Sequence, residues 1–594
     1  MDKGFFFERN LLALSRFDPS LCSRLSGAET TRGRYKFIES RSGESIPALV
    51  DSSGAAHPLH SLVDPRKEGT RLVSTLGSDG TDPGFLIIFG LGGGFHVEAA
   101  LERPGTEWVT VIDFDIHGAA ELLSSREYIG IFNDPRFRLL LDPSPSILEQ
   151  HLLDRYKPGI CGGIALLPLR TRTDIGRQLF TEATRVIKSA IDTVSADYSV
   201  QAYFGKRWFS NIIRNLPQAE QSLPALPPIR SAAICAAGPS LDFQIPLLCE
   251  TRKKKERPFI IAADTALPSL LSAALEPDAV ISIDCQHISY YHFMAGLPER
   301  TMLFLDLASP PLVASRSARP YFFSGGHPLT RYLSRHWRPI PELDTSGANV
   351  TYAALSLAEY LGARNIELYG ADFSYPAGVT YARGSYIRGL FENRQNRCAS
   401  LETLHSAFLY RTPLSKQNSE QDYWYYETKA LAMYRRRLED KVRSIAAGAA
   451  TQVSAIPGMG APINLEAASR EDGVPETKEA PNSGVTPFPV PIRRETPAGS
   501  GGVYRLFASG KASMTAREFL HKYRNGIESL PVLAGPVQPY LTALSREENT
   551  IFTTLLPSIA AIKHRLPDSD IPGVVQAVRE YSIKELDKVL KGMR

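Results

Sequence analysis

Strand-sized apolar runs, several of them closed by a glycine or an aspartate, constrain this chain more than any other feature. They include 85-FLIIF-89 before Gly90, 108-WVTVID-113, 259-FIIAA-263 before Asp264, 279-AVISI-283 before Asp284, and 365-NIELY-369 before Gly370. Runs this short and this continuously apolar suit strands covered on both faces, and the longer, helix-compatible stretches between them can cross over the sheet. The rhythm predicts doubly wound α/β units with parallel sheets.

At 594 residues the chain exceeds one hydrophobic core, so a multidomain α/β protein is expected. Lysine and arginine number 67 against 63 acids, a net charge of +4, with 43% hydrophobic and 22% charged residues. That balance argues against global disorder and against a nucleic-acid partner. No apolar stretch reaches the roughly 20 residues of a membrane span, and the charged start lacks a compact leader core, so we expect no integral membrane contact and a cytoplasmic location. Six cysteines without CxxC spacing fit reduced thiols rather than a disulfide framework or a thiolate zinc site.

The expected organisation begins with a lead-in module at 1–75, with strands near Tyr35–Ile38 and Ala48–Val50. A Rossmann-like domain follows at 76–210, a helical stretch from Ile175 to about Leu216 links it to the next unit, and a second α/β domain occupies 215–464. Closing helices are expected over Tyr423–Arg443, and a late strand from Val453. Residues 465–502, rich in Pro, Glu, Ser and Gly, read as a flexible linker, and 503–594 as a helical C-terminal module with amphipathic segments at Ala516–Tyr523 and Val574–Leu590.

Four constellations carry possible chemistry. In 85-FLIIFGLGGGFHVEAA-100, Gly90, Gly92 and Gly94 follow a strand and precede a helix, which permits close backbone approach to an anion. Asp113 and Asp115 follow the next strand, where a ribose-reading acid often stands. The same pattern suits a scaffold that binds no cofactor. In 234-ICAAGPSLD-242, Gly238 turns the chain, Pro239 stiffens the turn, and Ser240 can cap a helix or bind phosphate. Asp264 and Asp284 each follow an apolar strand, at the edge where an open parallel sheet gathers its ligand crevice; each can alternatively cap the next helix. His287 and His292 lack helix-face metal spacing and read as separate structural or surface residues, and the metal, if any, is unknown. Finally, 346-SGANVTYAALSLAEYLGARNIELYGADFSYPAGVTYARG-384 offers Ser346, Gly347 and Asn349 at a helix start and Asp372 beyond a strand. Tyr375, Tyr381 and Arg383 follow in a loop suited to sugar hydrogen bonds and phosphate neutralisation.

Taken in order, CAAGPSLD, IAADTAL, EPDAVISID and the 346–375 stretch resemble the motility-associated factor family, whose central, DUF115-like domain is similar to 6-hydroxymethylpterin diphosphokinase-like domains. FGLGGGFHVEAAL with VIDFD resembles that family's N-terminal Rossmann-like domain. The resemblance implies a central sialyltransferase-like α/β fold and a transferase carrying nonulosonic acid from a CMP-activated nucleotide sugar to Ser or Thr of flagellin, with no tightly bound cofactor. It also implies that Gly238, Pro239 and Ser240 face the donor phosphate, Asp264 and Asp284 the nucleoside and sugar, Ser346, Gly347 and Asn349 the opposite wall, and Asp372 the reacting sugar. The family's loop histidine is replaced by Tyr381, a poor base at a reference pKa of about 10. His327 in SGGHP is the substitute candidate, and Arg383 a stabiliser of the leaving group. Two other readings stand beside this one: a Mg²⁺-dependent hydroxymethylpterin diphosphokinase using ATP, and a catalytically weak flagellin-binding or assembly protein.

Overall fold

The computed structural model describes residues 3–28, 33–51, 53–77, 82–221, 223–224, 226–418, 423–448, 451–465 and 512–593. The expected linker at 465–502 therefore lies, beyond Leu465, outside the described residues. Contacts between Cα atoms group the chain into two units, Met1–Lys206 with Ile527–Tyr581, and Arg207–Gly526 with Ser582–Arg594. The tail expected as one helical module is thus shared between the units.

In the first unit, helices Lys3–Ser15 and Pro19–Ser26 precede an antiparallel sheet of β1 (Tyr35–Glu39), β2 (Ser45–Val50) and β3 (Ala56–Pro58). Four parallel strands follow, β4 (Pro83–Phe89), β5 (Trp108–Asp113), β6 (Phe137–Leu141) and β7 (Gly163–Pro168), in the spatial order β6-β5-β4-β7. Every residue of β4 and β5 is buried, which explains why these runs show no apolar–polar alternation. Leu86, Ile88, Val109 and Val111 pack in one core with Val97, Ala119 and Leu122 from the crossover helices. Helix Arg546–Arg565 returns to this unit, opened by a capping box between Ser545 and Glu548. The expected long helix is present as Arg177–Ala219.

The second unit is built on seven parallel strands: β8 (Ser231–Cys235), β9 (Phe259–Ala263), β10 (Ala279–Ser282), β11 (Met302–Asp306), β12 (Tyr321–Phe323), β13 (Asn365–Tyr369) and, after three further short strands, the late strand expected near Val453. Those short strands, β14 (Tyr375–Pro376), β15 (Ser415–Asn418) and β16 (Trp424–Glu427), form a separate antiparallel sheet in the order β14-β16-β15. The late strand is β17 (Gln452–Ala455), and the large sheet runs β12-β11-β10-β9-β8-β13-β17. One expectation is corrected here: Trp424–Glu427 is a strand, and the closing helix starts at Lys429. Consecutive aromatic residues favour a pleated, half-buried surface over a helix. Helix Val350–Tyr360 lies on the sheet with Ala353, Ala354 and Ala358 fully buried, small side chains that permit close approach.

No helix among the described residues is long and apolar enough to cross a membrane.

Candidate active site

The seven-stranded sheet starts at β8, builds outward through β12 on one side, and resumes with β13 on the other. Its topological switch point therefore falls between the carboxyl ends of β8 and β13, where open α/β sheets form their crevice. Gly238, Pro239 and Ser240 leave β8 there, and Asp372 leaves β13. The Ser240 amide donates to Asp372 Oδ2 at 2.8 Å, while Ser240 Oγ accepts from the Met459 amide at 2.8 Å. A Cβ on Gly238 would run into that same carboxylate and the Gly370 carbonyl, so glycine is required by the close approach. The Ala461 amide donates to the Asp372 carbonyl at 2.9 Å and closes the turn from above. Burial pushes the Asp372 carboxyl up, and the Ser240 hydrogen bonds oppose it. These predicted residues are brought together, but Ser240 has no exposed surface and both of its polar groups are bonded within the protein. The carboxylate of Asp372 sits where an anion was expected.

Asp264 and Asp284 stand one and two strands further along. Asp264 is 2% exposed; its Oδ1 accepts from the Thr265 amide at 2.7 Å and its Oδ2 from Ser282 Oγ at 2.6 Å. Burial raises its pKa, as does the charge of Asp284, against lowering by His292 and by these hydrogen bonds. Asp284 is partly exposed and holds the Gln286 amide at 2.9 Å. The loop carrying Tyr381 and Arg383 folds back over these strand ends: Ala382 donates its amide to the Ala237 carbonyl at 3.0 Å, and a Cβ on Gly384 would stand 2.7 Å from Ser272 Oγ. Burial, with smaller contributions from Tyr375 and Asp264, pushes the Tyr381 phenol up to about 12. A phenol so raised donates hydrogen bonds near neutrality and does not accept a proton from a hydroxyl. The Arg383 side chain is 78% exposed, and its Nε lies 3.7 Å from Asp242 Oδ2.

At the end of β11, Asp306 meets His327, whose Nε2 is 3.5 Å from Asp306 Oδ1. The histidine retains an exposed edge while the acid is buried, and the Trp208 ring packs 4.6 Å from the imidazole. Thr345 joins Asp306 around Gly325, which brings the 344–349 segment to the same sheet edge. Within it, Ser346 Oγ donates to Asp344 Oδ1 at 2.7 Å, Asn349 Oδ1 caps helix Val350–Tyr360 by accepting from the Tyr352 amide at 2.9 Å, and Gly347 lies flat against the Tyr352 ring. Ser346, Gly347 and Asn349 thus build a helix start beside Asp306 and His327, and among the described residues no hydrogen bond joins them to the Gly238 turn. Asp306 was missed from the sequence, although 302-MLFLD-306 carries the signature that singled out Asp264 and Asp284. His292 was discounted, yet it is 7% exposed with Nδ1 unpartnered, and its charge reaches Asp264.

The N-terminal glycine turn is filled from within its own unit. Gly90, Gly92 and Gly94 all have positive φ, at 97°, 50° and 80°, and a Cβ on them would meet Arg172, His60 and Ile131 respectively. His60 Nε2 accepts from the Gly93 amide at 2.8 Å, and the Tyr128 hydroxyl donates to the Gly92 carbonyl at 2.8 Å. Asp113, the expected ribose reader, is 2% exposed; it accepts from the Leu91 amide at 3.1 Å and pairs with Arg172 at 2.7 Å. Asp115 caps helix Ile116–Ser125 through the Gly118 amide at 2.9 Å.

Residues 210–378, which include most of this acidic edge, match the family described as 6-hydroxymethylpterin diphosphokinase MptE-like. Uncharacterized proteins of Treponema pallidum (strain Nichols) are similar: one is 34% identical over 152 residues, 25% of this chain and 54% of the relative. Another is 37% identical over 156 residues, covering 25% and 71%, and a third 26% identical over 293 residues, covering 46% and 63%. The chain spans about half the length of the first of these relatives. Among solved structures, the MAf glycosyltransferase from Magnetospirillum magneticum AMB-1 shares the fold with a TM-score of 0.54 at 12% identity, across 99% of this chain and 95% of that one. The protein is therefore of the α/β class that joins a Rossmann-like unit to an MptE-like domain. It belongs to one family with the Treponema protein of which it covers 71% at 37% identity, and its fold resembles that of the MAf glycosyltransferase.

Proposed function

We propose that this protein is a glycosyltransferase moving a nonulosonic acid from a CMP-activated donor to a Ser or Thr hydroxyl of flagellin. The observation that carries the reading is the carboxyl edge of the large sheet, where Asp264, Asp284, Asp306 and Asp372 end or follow four parallel strands and His327 stands against Asp306. In this reading the acceptor hydroxyl gives its proton to His327 as its oxygen attacks the anomeric carbon. The bond from that carbon to the phosphate oxygen breaks, its electron pair leaving with CMP. Asp306 steadies the imidazolium, Arg383 draws the developing charge on the phosphate, and Tyr381 donates a hydrogen bond. Because Ser240 is fully engaged, the donor phosphate is proposed to lie toward Arg383 and not on the Ser240 hydroxyl. The internal filling of the Gly90–Gly94 turn supports a scaffolding role for the N-terminal unit.

Incubation of the purified chain and unglycosylated flagellin with a panel of CMP-nonulosonates, followed by intact mass, should show a sugar-sized increment, lost in His327→Gln. No increment across a donor panel competent for another transferase would refute the reading. The description of the matched family favours one second reading, transfer of diphosphate from ATP to a hydroxymethylpterin, with the aspartates gathering Mg²⁺. Pterin-dependent formation of AMP would decide for it.

A further inference from the structure

His60 follows β3, Glu68 lies in helix Pro65–Ser74, and His96 lies in the first turn of helix Phe95–Glu102. One side-chain ligand atom from each falls within 4.8 Å of the other two. Both imidazoles are more than nine-tenths buried, at 5% and 6% exposure, and Nδ1 of each has no hydrogen-bond partner. A buried polar atom without a partner is costly, and here two occur in one cluster beside a carboxylate. The remaining nitrogen of His60 is already placed: Nε2 accepts from the Gly93 amide, leaving Nδ1 facing Glu68 Oε2 at 3.7 Å. Neutral imidazole is the ligating form.

We propose that His60, Glu68 and His96 form a binding site for Zn²⁺, independent of the transferase reading. Two imidazoles and one carboxylate suit a borderline-soft divalent ion better than Mg²⁺ or Ca²⁺, which take oxygen ligands. Bonds of about 2.0–2.1 Å in a tetrahedral site set donors roughly 3.3 Å apart, so the three groups must draw together. Glu68 has 39% of its side chain exposed, and its Oε2, which accepts from the Ser61 amide at 2.8 Å, leaves Oε1 to turn toward the ion. Arg126, whose charge reaches His60, is itself paired with Glu98 at 2.8 Å. To ligate through Nδ1 as neutral imidazole, His60 must carry its ring proton on Nε2, so binding moves the proton across the ring and gives up the hydrogen bond from the Gly93 amide. The ion would fasten the loop after β3 and two helices around the glycine turn.

The test uses the full chain, stripped with chelator and titrated with Zn²⁺ and then Co²⁺. One equivalent should bind and raise Tm, and His96→Gln and Glu68→Gln should each weaken binding at least tenfold. Glu68 is surface-accessible, so its variant keeps the experiment decisive if the buried histidine variant folds poorly. Bound Co²⁺ should show tetrahedral d–d absorption without a thiolate charge-transfer band. Failure to retain zinc, unchanged affinity in both variants, or a thiolate band placing the ion on a cysteine would each overturn the site.

Discussion

Asp264 shows how one residue sets function against stability. Its carboxyl is held by Thr265 and Ser282 in a place where water does not reach, and burial raises its pKa above the ordinary value. The unfolded chain therefore ionises first as pH rises, so stability is greatest below the ordinary carboxylate pKa and falls as pH climbs through the raised folded value. Asp264→Asn keeps both hydrogen bonds in reach, with the amide oxygen toward Thr265 and the amide nitrogen toward Ser282. We expect Tm at neutral pH to rise by roughly 2 °C, what about 1 kcal/mol gives a unit of this size, while transfer falls at least tenfold. The Tm gain should shrink in acid; a gain independent of pH would show that ionisation is not its source. Part of this was legible in the sequence, because an acid closing an apolar strand stands at the edge where an open parallel sheet gathers its ligand crevice. The pairing of Asp372 with Ser240 was not legible, since it joins residues 132 positions apart. Only the reversal of strand order brings them together.

At the scale of elements, the carboxyl-terminal turns of the long helix Arg177–Ala219 act as a clamp on the active edge. Asn215 Nδ2 donates to the carbonyls of Leu307 and Ser309 at 2.9 and 2.8 Å, and Asn211 Nδ2 to those of Cys285 and Ala308 at 3.1 and 2.8 Å. These carbonyls sit in the loops beside Asp284 and Asp306. Asn215→Ala should cost about 2 kcal/mol in urea unfolding, because it orphans buried acceptors, and should lower turnover by displacing Asp306. Stability lost without any change in turnover would separate the clamp from the site. The strands themselves were readable from their apolar runs, and Val453's late strand and the helix over 175–216 were too. The β14-β16-β15 sheet was not, because β15 reads Ser-Lys-Gln-Asn, exposed throughout and without an apolar face, and β14 is only two residues long. Two glycines in helices give a sharper contrast. Gly389 has nothing within 4 Å of a built Cβ, whereas one on Gly205 would collide with the backbone of Pro557. Gly389→Ala should stabilise by about 0.5–1 kcal/mol, and Gly205→Ala should destabilise by about 3 kcal/mol. Circular dichroism melts of the two variants moving in the same direction would contradict the packing at Gly205.

For the whole molecule, the last helices divide their loyalties. Helix Arg546–Arg565 buries Ile551, Phe552, Leu555 and Ile559 in the first unit, while Glu585 pairs with Arg214 at 2.8 Å in the second. Truncation after residue 526 should therefore lower both calorimetric transitions; a detachable tail would leave both where they are. The composition of 503–594 predicted helices but not their allegiance, since amphipathicity says that a face is covered and not by what. The same division sets a timetable for synthesis. The first unit has its glycine turn and parallel strands by residue 206 yet needs residues 527–581 to finish. At about 5–20 residues per second, a ribosome takes on the order of 20 to 75 seconds to deliver them. Through that interval the N-terminal core waits with apolar surface uncovered, and the nascent chain is a natural client for a holding chaperone until its final minute is complete.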